Sequence, residues 1–307
     1  MQLIRQAADL KTHGRKVCLA IGVFDGVHLG HQQIIRQTLA DAHQHEGLAL
    51  VVTFDRHPSA IVAPERRKPL IYPLPQKIRT LAALGADALL LIEFTREFRE
   101  QTAEAFIRGL ARDLGRIQSV CVGADFVFGH QRGGNVALLR QLGVELGFQV
   151  HGMAAVALDR QVISSTRIRA AIQAGDFDAA SQMLGRPYSL SGLVTTGDRL
   201  GRQLGFPTAN LDVSGLMLPP DGIYAARATA GSVTCRAVLN IGTRPTVQSA
   251  RADRRFEVHL LDFSGELYGK ELEVEFVAKL RDEVKFASLD ALKAQIAADI
   301  AAAAKCF

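Results

Sequence analysis

The chain has 307 residues, 48% of them hydrophobic and 22% charged, with a formal net charge of +5. That length admits two domains with separate cores, and that balance describes a globular chain rather than a disordered or fibrous one. The positive charge favours anionic partners, but there is no Lys/Arg run or basic stripe interleaved with aromatics, so nucleic-acid binding is not expected. The four cysteines, Cys18, Cys121, Cys235 and Cys306, are widely separated and form no CxxC pair, which argues against a zinc site or a disulfide framework. No apolar leader and no membrane-length apolar run is present, so a cytoplasmic protein without membrane association is expected.

Up to residue 184 the chain alternates strand and helix. The run VCLAI (Val17 to Ile21) reads as a buried strand, followed by GVFDGVHLGH (Gly22 to His31) and a helix with Ile35, Leu39 and Ala42 on one face. LALVVTF (Leu48 to Phe54), DALLLIEF, SVCVGADF (Ser119 to Phe126) and FQVHGMAAV (Phe148 to Val156) read as further strands. PLPQKIRTLAALGA, TAEAFIRGLARDLG and NVALLRQLGVELG read as helices between them. Strands apolar on both faces fit a parallel sheet covered by helices, a Rossmann-like α/β layout. There is no G-x-G-x-x-G and no Walker A lysine loop, so the common dinucleotide and P-loop readings are not supported.

The turn GVFDGVHLGH delivers His28 and His31 to a helix start, where free N–H groups and partial positive charge suit phosphate. Gly22, Gly26 and Gly30 let the backbone approach a ligand, and Phe24 and Asp25 lie in the same turn. ISSTRIRAAI (Ile163 to Ile172) opens another helix with Ser164, Ser165, Thr166 and the fixed charge of Arg167. Each segment also has a plainer reading on its residues alone: turn or core histidines with Asp25 capping the turn, and an ordinary Ser/Thr N-cap followed by a solvated Arg.

After GRPYSLSG (Gly185 to Gly192) the pattern changes to extended runs separated by Gly-containing turns. GIYAARATA and VTCRAVLNIG flank Gly231–Ser232 as one hairpin, and RFEVHLLDF and KELEVEFVAKL flank SGELYG as another. Ser288 stands as N-cap of a closing helix, LDALKAQIAADIAAAA. The expected architecture is therefore an N-terminal Rossmann-like domain over 1–184 and a small antiparallel β-barrel with a terminal helix over 185–307. Within the second half, GLVTTGDRLGRQLGFPTANL (Gly192 to Leu211) brings Gly197, Gly205, Arg199 and Arg202 together with the oxygens of Thr208 and Asn210. Composition alone favours a flexible surface loop here. In RFEVHLL, Phe256, Val258 and Leu260 share one strand face and Glu257 and His259 the other, and a lone strand Glu is ordinarily solvated.

GVFDGVHLGH, VVTFDRHP, VGADFVFG and ISSTRIR, in that order, resemble the adenylyltransferase module of the bifunctional bacterial riboflavin kinase/FAD synthetases. FPTAN, VLNIGTRPT, EVHLLDFSGELYGK and LRDEVKF resemble their riboflavin kinase module, so the resemblance covers nearly the whole chain. It implies phosphorylation of riboflavin to FMN by the second half and adenylylation of FMN to FAD, with release of pyrophosphate, by the first. It implies that His28 and His31 bind ATP phosphates, that Ser164, Thr166 and Arg167 hold the β- and γ-phosphates, and that Asp125 lies near the reacting nucleotide and FMN. Gly22, Phe24, Asp25, Gly30 and Ser165 are further nucleotide candidates, and Asp55 and His57 match a family turn. In the kinase module it implies Thr208 and Asn210 on Mg²⁺–ATP, Gly197, Arg202 and Gly205 around the phosphates, Glu257 as the base, and Arg281 and Phe286 near the flavin. The chain departs from the pattern at Arg56, where the family often has Pro, and at Val127, where it often has a polar or basic residue; both bear on the flavin side of the first site. A chain with one surviving activity and a flavin-responsive binding protein are the rival readings. Intact His28, His31 and Arg167 count against the first, and intact Thr208, Asn210 and Glu257 against the second. Nothing in the sequence speaks to oligomeric state.

Overall fold

A computed structural model describes residues 1–197, 201, 204–244 and 253–307. The chain divides into two compact units, Met1–Leu70 with Leu74–Ser165, and Ile71–Pro73 with Thr166–Phe307.

The first unit contains strands β1 (Gln2–Ile4), β2 (Val17–Ile21), β3 (Leu48–Phe54), β4 (Ala88–Ile92) and β5 (Ile117–Gly123), a short ribbon of β6 (Val127–Phe128) and β7 (Gly134–Asn135), then β8 (Gln149–Met153) and a second ribbon of β9 (Ala157–Leu158) and β10 (Gln161–Val162). Its helices are α1 (Leu29–Gln44), α2 (Ser59–Val62), α3 (Leu74–Ala83), α4 (Arg96–Arg99), α5 (Ala103–Leu114) and α6 (Val136–Leu146). Six strands form one sheet in the order β1-β4-β3-β2-β5-β8, with every pairing parallel. Every residue of β2 is buried, as a central strand covered on both faces requires. From β2 the chain steps to β3 and β4 on one side, and later to β5 and β8 on the other. The carboxyl ends of β2 and β5 therefore flank the point where strand order reverses, which is where open α/β sheets form their ligand crevice.

The last expected strand of this half, Phe148 to Val156, is shorter in the structure. Its pairing ends at Gly123↔Met153, where β5 itself stops, so Ala154–Val156 leave the sheet, and the Val156 carbonyl accepts the Ile163 N–H instead. β1, three residues added at the edge against β4, carries no periodic signal and was not expected from the sequence.

In the second unit, α7 (Ser165–Ala174) continues from the last residue of the first, followed by α8 (Phe177–Leu184). A closed antiparallel barrel follows, built from β11 (Ser189–Thr195), β12 (Ala209–Leu211), β13 (Gly222–Ala230), β14 (Val233–Arg244), β15 (Asp253–Leu260) and β16 (Glu271–Arg281) in the order β11-β12-β15-β14-β13-β16. Closure removes the exposed strand edges that an open sheet of this size would carry. The barrel packs around an aromatic group in which Phe177 of α8 stacks on Phe276 at 4.8 Å and Phe276 on Tyr188 at 5.2 Å. Tyr188 and Tyr224 are fully buried and donate their hydroxyls to the carbonyls of Met217 and Pro220. This packing of Phe177 is why α8 groups with the barrel. The closing helix α9 (Leu289–Ala304) starts at Ser288, whose hydroxyl accepts the Ala291 N–H, and its Ala303 and Ile300 pack with Ile223, Ala225 and Val238 of the wall.

Candidate active sites

The turn after β2 is held in an unusual backbone conformation. Phe24, Gly26 and Val27 have φ of 52°, 80° and 43°. A β-branched residue at positive φ is strained, and such strain persists only where surroundings enforce it. Here Phe24 and Val27 are completely buried, anchoring the turn from below. The helix after it begins at Leu29 rather than beyond His31. His28 is the N-cap, its Nδ1 accepting the His31 N–H at 3.4 Å, so the histidine does the work usually done by Ser, Thr or Asp. His31 then lies in the first turn of α1, its ring stacked on that of His28 at 3.6 Å and edge-on to Phe24. An Nδ1 that accepts leaves the other ring nitrogen of His28 as the N–H donor.

These groups line a cavity of about 370 Å³ together with Gly22, Gly30, Asp125, Ser164 and Ser165. Ser165, the last residue of the first unit, donates its hydroxyl to the Asp25 carbonyl of the strained turn at 2.9 Å. Asp25 is buried. Thr166 and Arg167 come next on α7 and belong to the second packing unit.

A second cavity of about 580 Å³ shares Ile21, Val23, Phe126 and Val127 with the first. Phe54, Phe94, Phe98, Phe106, Phe126 and Phe128 supply six aromatic rings to its wall. Val127 stands 39% exposed at the junction. Arg56 engages Asp55 through Nε and Nη2 at 2.9 and 2.7 Å, while the other Asp55 oxygen accepts the Phe94 N–H. Burial alone would raise the Asp55 carboxyl, but the Arg56 and Phe94 hydrogen bonds outweigh it and hold the group below the usual range. Beneath the junction Lys77 is only 7% exposed. Its ammonium donates to the Phe54 carbonyl at 2.7 Å, and at 3.4 Å to the Val23 carbonyl and the Thr53 hydroxyl, stitching the carboxyl ends of β2 and β3 together. Burial pulls the Lys77 pKa down to about 8 against the opposing pull of Asp25 and Asp55.

In the second unit, Thr208, Asn210, Glu257 and Arg281 line one cavity of about 280 Å³ between the barrel wall and α9. As the strand alternation predicts, Phe256, Val258 and Leu260 are buried while Glu257 and His259 face the cavity. Asn210 and Asn240 are the cross-strand neighbours of Glu257 on either side. The Glu257 carboxylate meets Arg255 at 3.3 Å and Asn240 at 3.5 Å. His259 donates its Nδ1 proton to the Pro207 carbonyl at 2.8 Å, fixing the residue before Thr208. A side chain at Gly197 would collide with the Asn210 amide, so the loop can approach Asn210 only through a glycine. Gly205 sits at φ 91°. Thr208 also borders a neighbouring cavity of about 290 Å³ formed with Pro207, Phe263 and Tyr268. Arg281 lines the cavity of Glu257, but its guanidinium is bonded to both Asp299 oxygens, at 2.8 and 2.7 Å, and lies over Phe286.

The FAD synthetase family model matches residues 10–167 and the riboflavin kinase family model residues 184–307. A bifunctional riboflavin kinase/FMN adenylyltransferase of Pseudomonas fluorescens is 40% identical over 303 residues, spanning 99% of this chain and 97% of its own. The chain belongs to this bifunctional family. The family member of Escherichia coli K12 is 38% identical over 97% of this chain and 96% of its own. A crystal structure described as a macrolide-efflux protein from Streptococcus pneumoniae superposes with a TM-score of 0.83 at 29% identity, covering 98% of this chain and 97% of that one. Among the described residues, no helix is long and apolar enough to cross a membrane.

The bifunctional family's motif residues thus fall into two separate groups. Gly22, Phe24, His28, Gly30, His31, Asp125, Ser164 and Ser165 line one cavity, and Thr208, Asn210, Glu257 and Arg281 another. Arg202, and the Arg199 beside it, lie outside the described residues. Sequence reasoning missed the phenylalanine-lined cavity, Lys77 and Asn240. The signal available for the first was that Phe54 ends one strand while Phe94 and Phe126 follow two others, at the sheet edge where ligands bind.

Proposed function

We propose that the chain makes FMN from riboflavin and ATP in the domain 185–307, and FAD from FMN and ATP in the domain 1–184. The observation that supports this reading is that His28, His31, Asp125, Ser164 and Ser165 of one motif set line a cavity at the switch point of the parallel sheet, and Thr208, Asn210, Glu257 and Arg281 of the other line a cavity on the barrel wall, while Asp25, Thr166, Arg167, Gly197 and Gly205 are not among the lining residues.

In the first domain an FMN phosphate oxygen attacks the α-phosphorus of ATP. The new P–O bond forms as the bond to the β-phosphate oxygen breaks, and pyrophosphate leaves. The nucleophile is already an anion, so no strong base is needed. The role of the protein is charge stabilisation: the α1 N-terminus, His28 and His31 donate to phosphate oxygens as negative charge shifts to the leaving group. Ser164 and Ser165 line the same cavity, and by the family pattern Thr166 and Arg167 act on the same phosphates. The phenylalanine-lined cavity accommodates the flavin ring, whose flat apolar face suits stacked and edge-on aromatics.

In the second domain Glu257 takes the proton of the ribityl primary alcohol as its oxygen attacks the γ-phosphorus, and ADP leaves. The nucleotide occupies the cavity of Pro207, Phe263 and Tyr268, and the flavin the cavity of Phe286, Leu292 and Ile296; Thr208 borders both. Thr208 and Asn210 offer neutral side-chain oxygens, the donors a hard divalent ion accepts while keeping phosphate and water ligands, so they would hold Mg²⁺. Mg²⁺ when bound supplies neutralisation of phosphate charge. A cytoplasmic location suits both the ATP supply and the free thiols.

Two variants separate the sites. Glu257→Gln abolishes FMN formation from riboflavin by about 10²-fold or more, the usual contribution of a positioned base, and leaves FAD formation from supplied FMN intact. The double variant His28→Ala/His31→Ala gives the reverse. Loss of both activities in either variant would contradict the assignment.

A further inference from the structure

Residues from five adjacent strands form one rung across the barrel wall: Asn210 pairs with Glu257, Glu257 with Asn240, Asn240 with Ile223 and Ile223 with Arg281. All of them line the same cavity. The rung is polar at Asn210 and Glu257 and apolar at Ile223, and Asn240 stands at the change. A substrate whose alcohol reaches Glu257 and whose ring lies against Ile223, Phe286 and Ile296 must pass its connecting chain over Asn240.

The orientation of the Asn240 amide follows from its neighbour. A carboxylate only accepts hydrogen bonds, so the end that meets Glu257 Oε2, at 3.5 Å, is the NH₂ group. The carbonyl oxygen Oδ1 is then the other end. It is buried and has no hydrogen-bond partner among the described residues. Buried acceptors are nearly always satisfied, and Asn240 lines the cavity while its Oδ1 is covered in the ligand-free chain, so a ligand donor reaches that oxygen once the amide turns slightly toward the cavity. The donor class is set by position: a hydroxyl on the carbon next to the one carrying the attacking alcohol.

We propose that Asn240 is a specificity-determining residue of the kinase site, its Oδ1 accepting a hydrogen bond from the hydroxyl vicinal to the attacking primary alcohol, so that the site selects a polyol chain over a simple hydroxyalkyl chain. This rests on the reading of Glu257 as the base. A site built to bind a hydroxyl discriminates strongly against the analogue that lacks it, because its own acceptor is left unmatched.

The test compares riboflavin with 4′-deoxyriboflavin, which lacks only that hydroxyl, in the full-length protein with ATP and Mg²⁺. In the wild type kcat/KM for riboflavin exceeds that for the deoxy analogue by about 10²-fold. In Asn240→Ala the ratio collapses to near one because riboflavin loses an Oδ1 contact that the analogue never made, while any fall from the lost NH₂ contact to Glu257 is common to both substrates. Asn240→Asp keeps an acceptor oxygen and retains the preference, with a lower kcat because a carboxylate now adjoins Glu257. FAD formation from FMN, and riboflavin binding followed by fluorescence quenching, establish that each variant is folded. An undiminished ratio in Asn240→Ala, or a parallel fall for both substrates, would overturn the proposal. Turnover by Glu257→Gln would instead strike the base assignment, whatever the Asn240 ratios show.

Discussion

Lys77 makes the stability of the first unit rise with pH, whereas an exposed lysine, with the same pKa in the folded and unfolded chain, gives no such dependence. Its ammonium is buried beneath the junction of two cavities, and its pKa falls from 10.5 to about 8. Between these values the unfolded chain binds more protons than the folded one, so stability rises with pH. Below about pH 8 the folded protein buries a charge; above it the folded amine is neutral, and the remaining cost disappears as the unfolded amine also loses its proton above about 10.5. With those two pKa values, the Lys77 contribution improves by about 2.5 kcal/mol from pH 7 to pH 10. Lys77→Met removes the titration. Urea unfolding of both proteins, followed by circular dichroism at pH 7, 8, 9 and 10, should show wild-type stability rising relative to the variant by roughly that amount. Other alkaline groups, including the burial-raised thiols of Cys18 and Cys121, act on both proteins and cancel in the difference. A difference that stays constant across the range would refute the claim that a charged amine is buried there.

Three further outcomes follow from named contacts. Arg281→Met leaves the buried Asp299 carboxylate with Gln295 as its one side-chain partner among the described residues, so the second unit should lose about 3 kcal/mol in a denaturant melt; an unchanged melt would show that the pair contributes nothing. Burial pushes the Cys121 thiol up to about 12, so iodoacetamide at pH 8 should label Cys235 and Cys306 well before Cys121 or Cys18 in the folded protein. Equal labelling rates by mass spectrometry would place Cys121 in a more open environment. Phe126→Ala, which opens the wall shared by the two first-unit cavities, should raise the KM for FMN in FAD formation while the riboflavin kinase reaction is unaffected; an unchanged KM would remove the flavin from that cavity.

The strand–turn–helix of Val17–Gln44 was legible because a run buried on both faces, a glycine-bearing turn and a 3.6-residue period each leave their own mark. The face of Glu257 was legible for the same reason, since alternation in a half-buried strand sorts neighbours onto opposite sides. His28 as a helix cap was not, because the cap preference of histidine is weak and only the folded geometry brings its ring back to the His31 N–H. Nothing in the helix run PLPQKIRTLAALGA marks Lys77, and only the meeting of the β2 and β3 ends gives its ammonium three oxygens. Asn240 is one polar residue inside the apolar run VLNIG, and its importance lies in strand register, which sequence does not fix. The six phenylalanines of the second cavity are scattered from Phe54 to Phe128 and meet only at one edge of the sheet.

The most direct test of the two-site account is a product time course. Purified protein incubated with riboflavin, ATP and Mg²⁺, sampled by chromatography, should show FMN appearing first and FAD following as FMN accumulates. FMN without FAD would confine activity to the barrel and contradict the role given to His28 and His31. Neither product from the folded protein would contradict both sites and favour a flavin-binding protein without turnover.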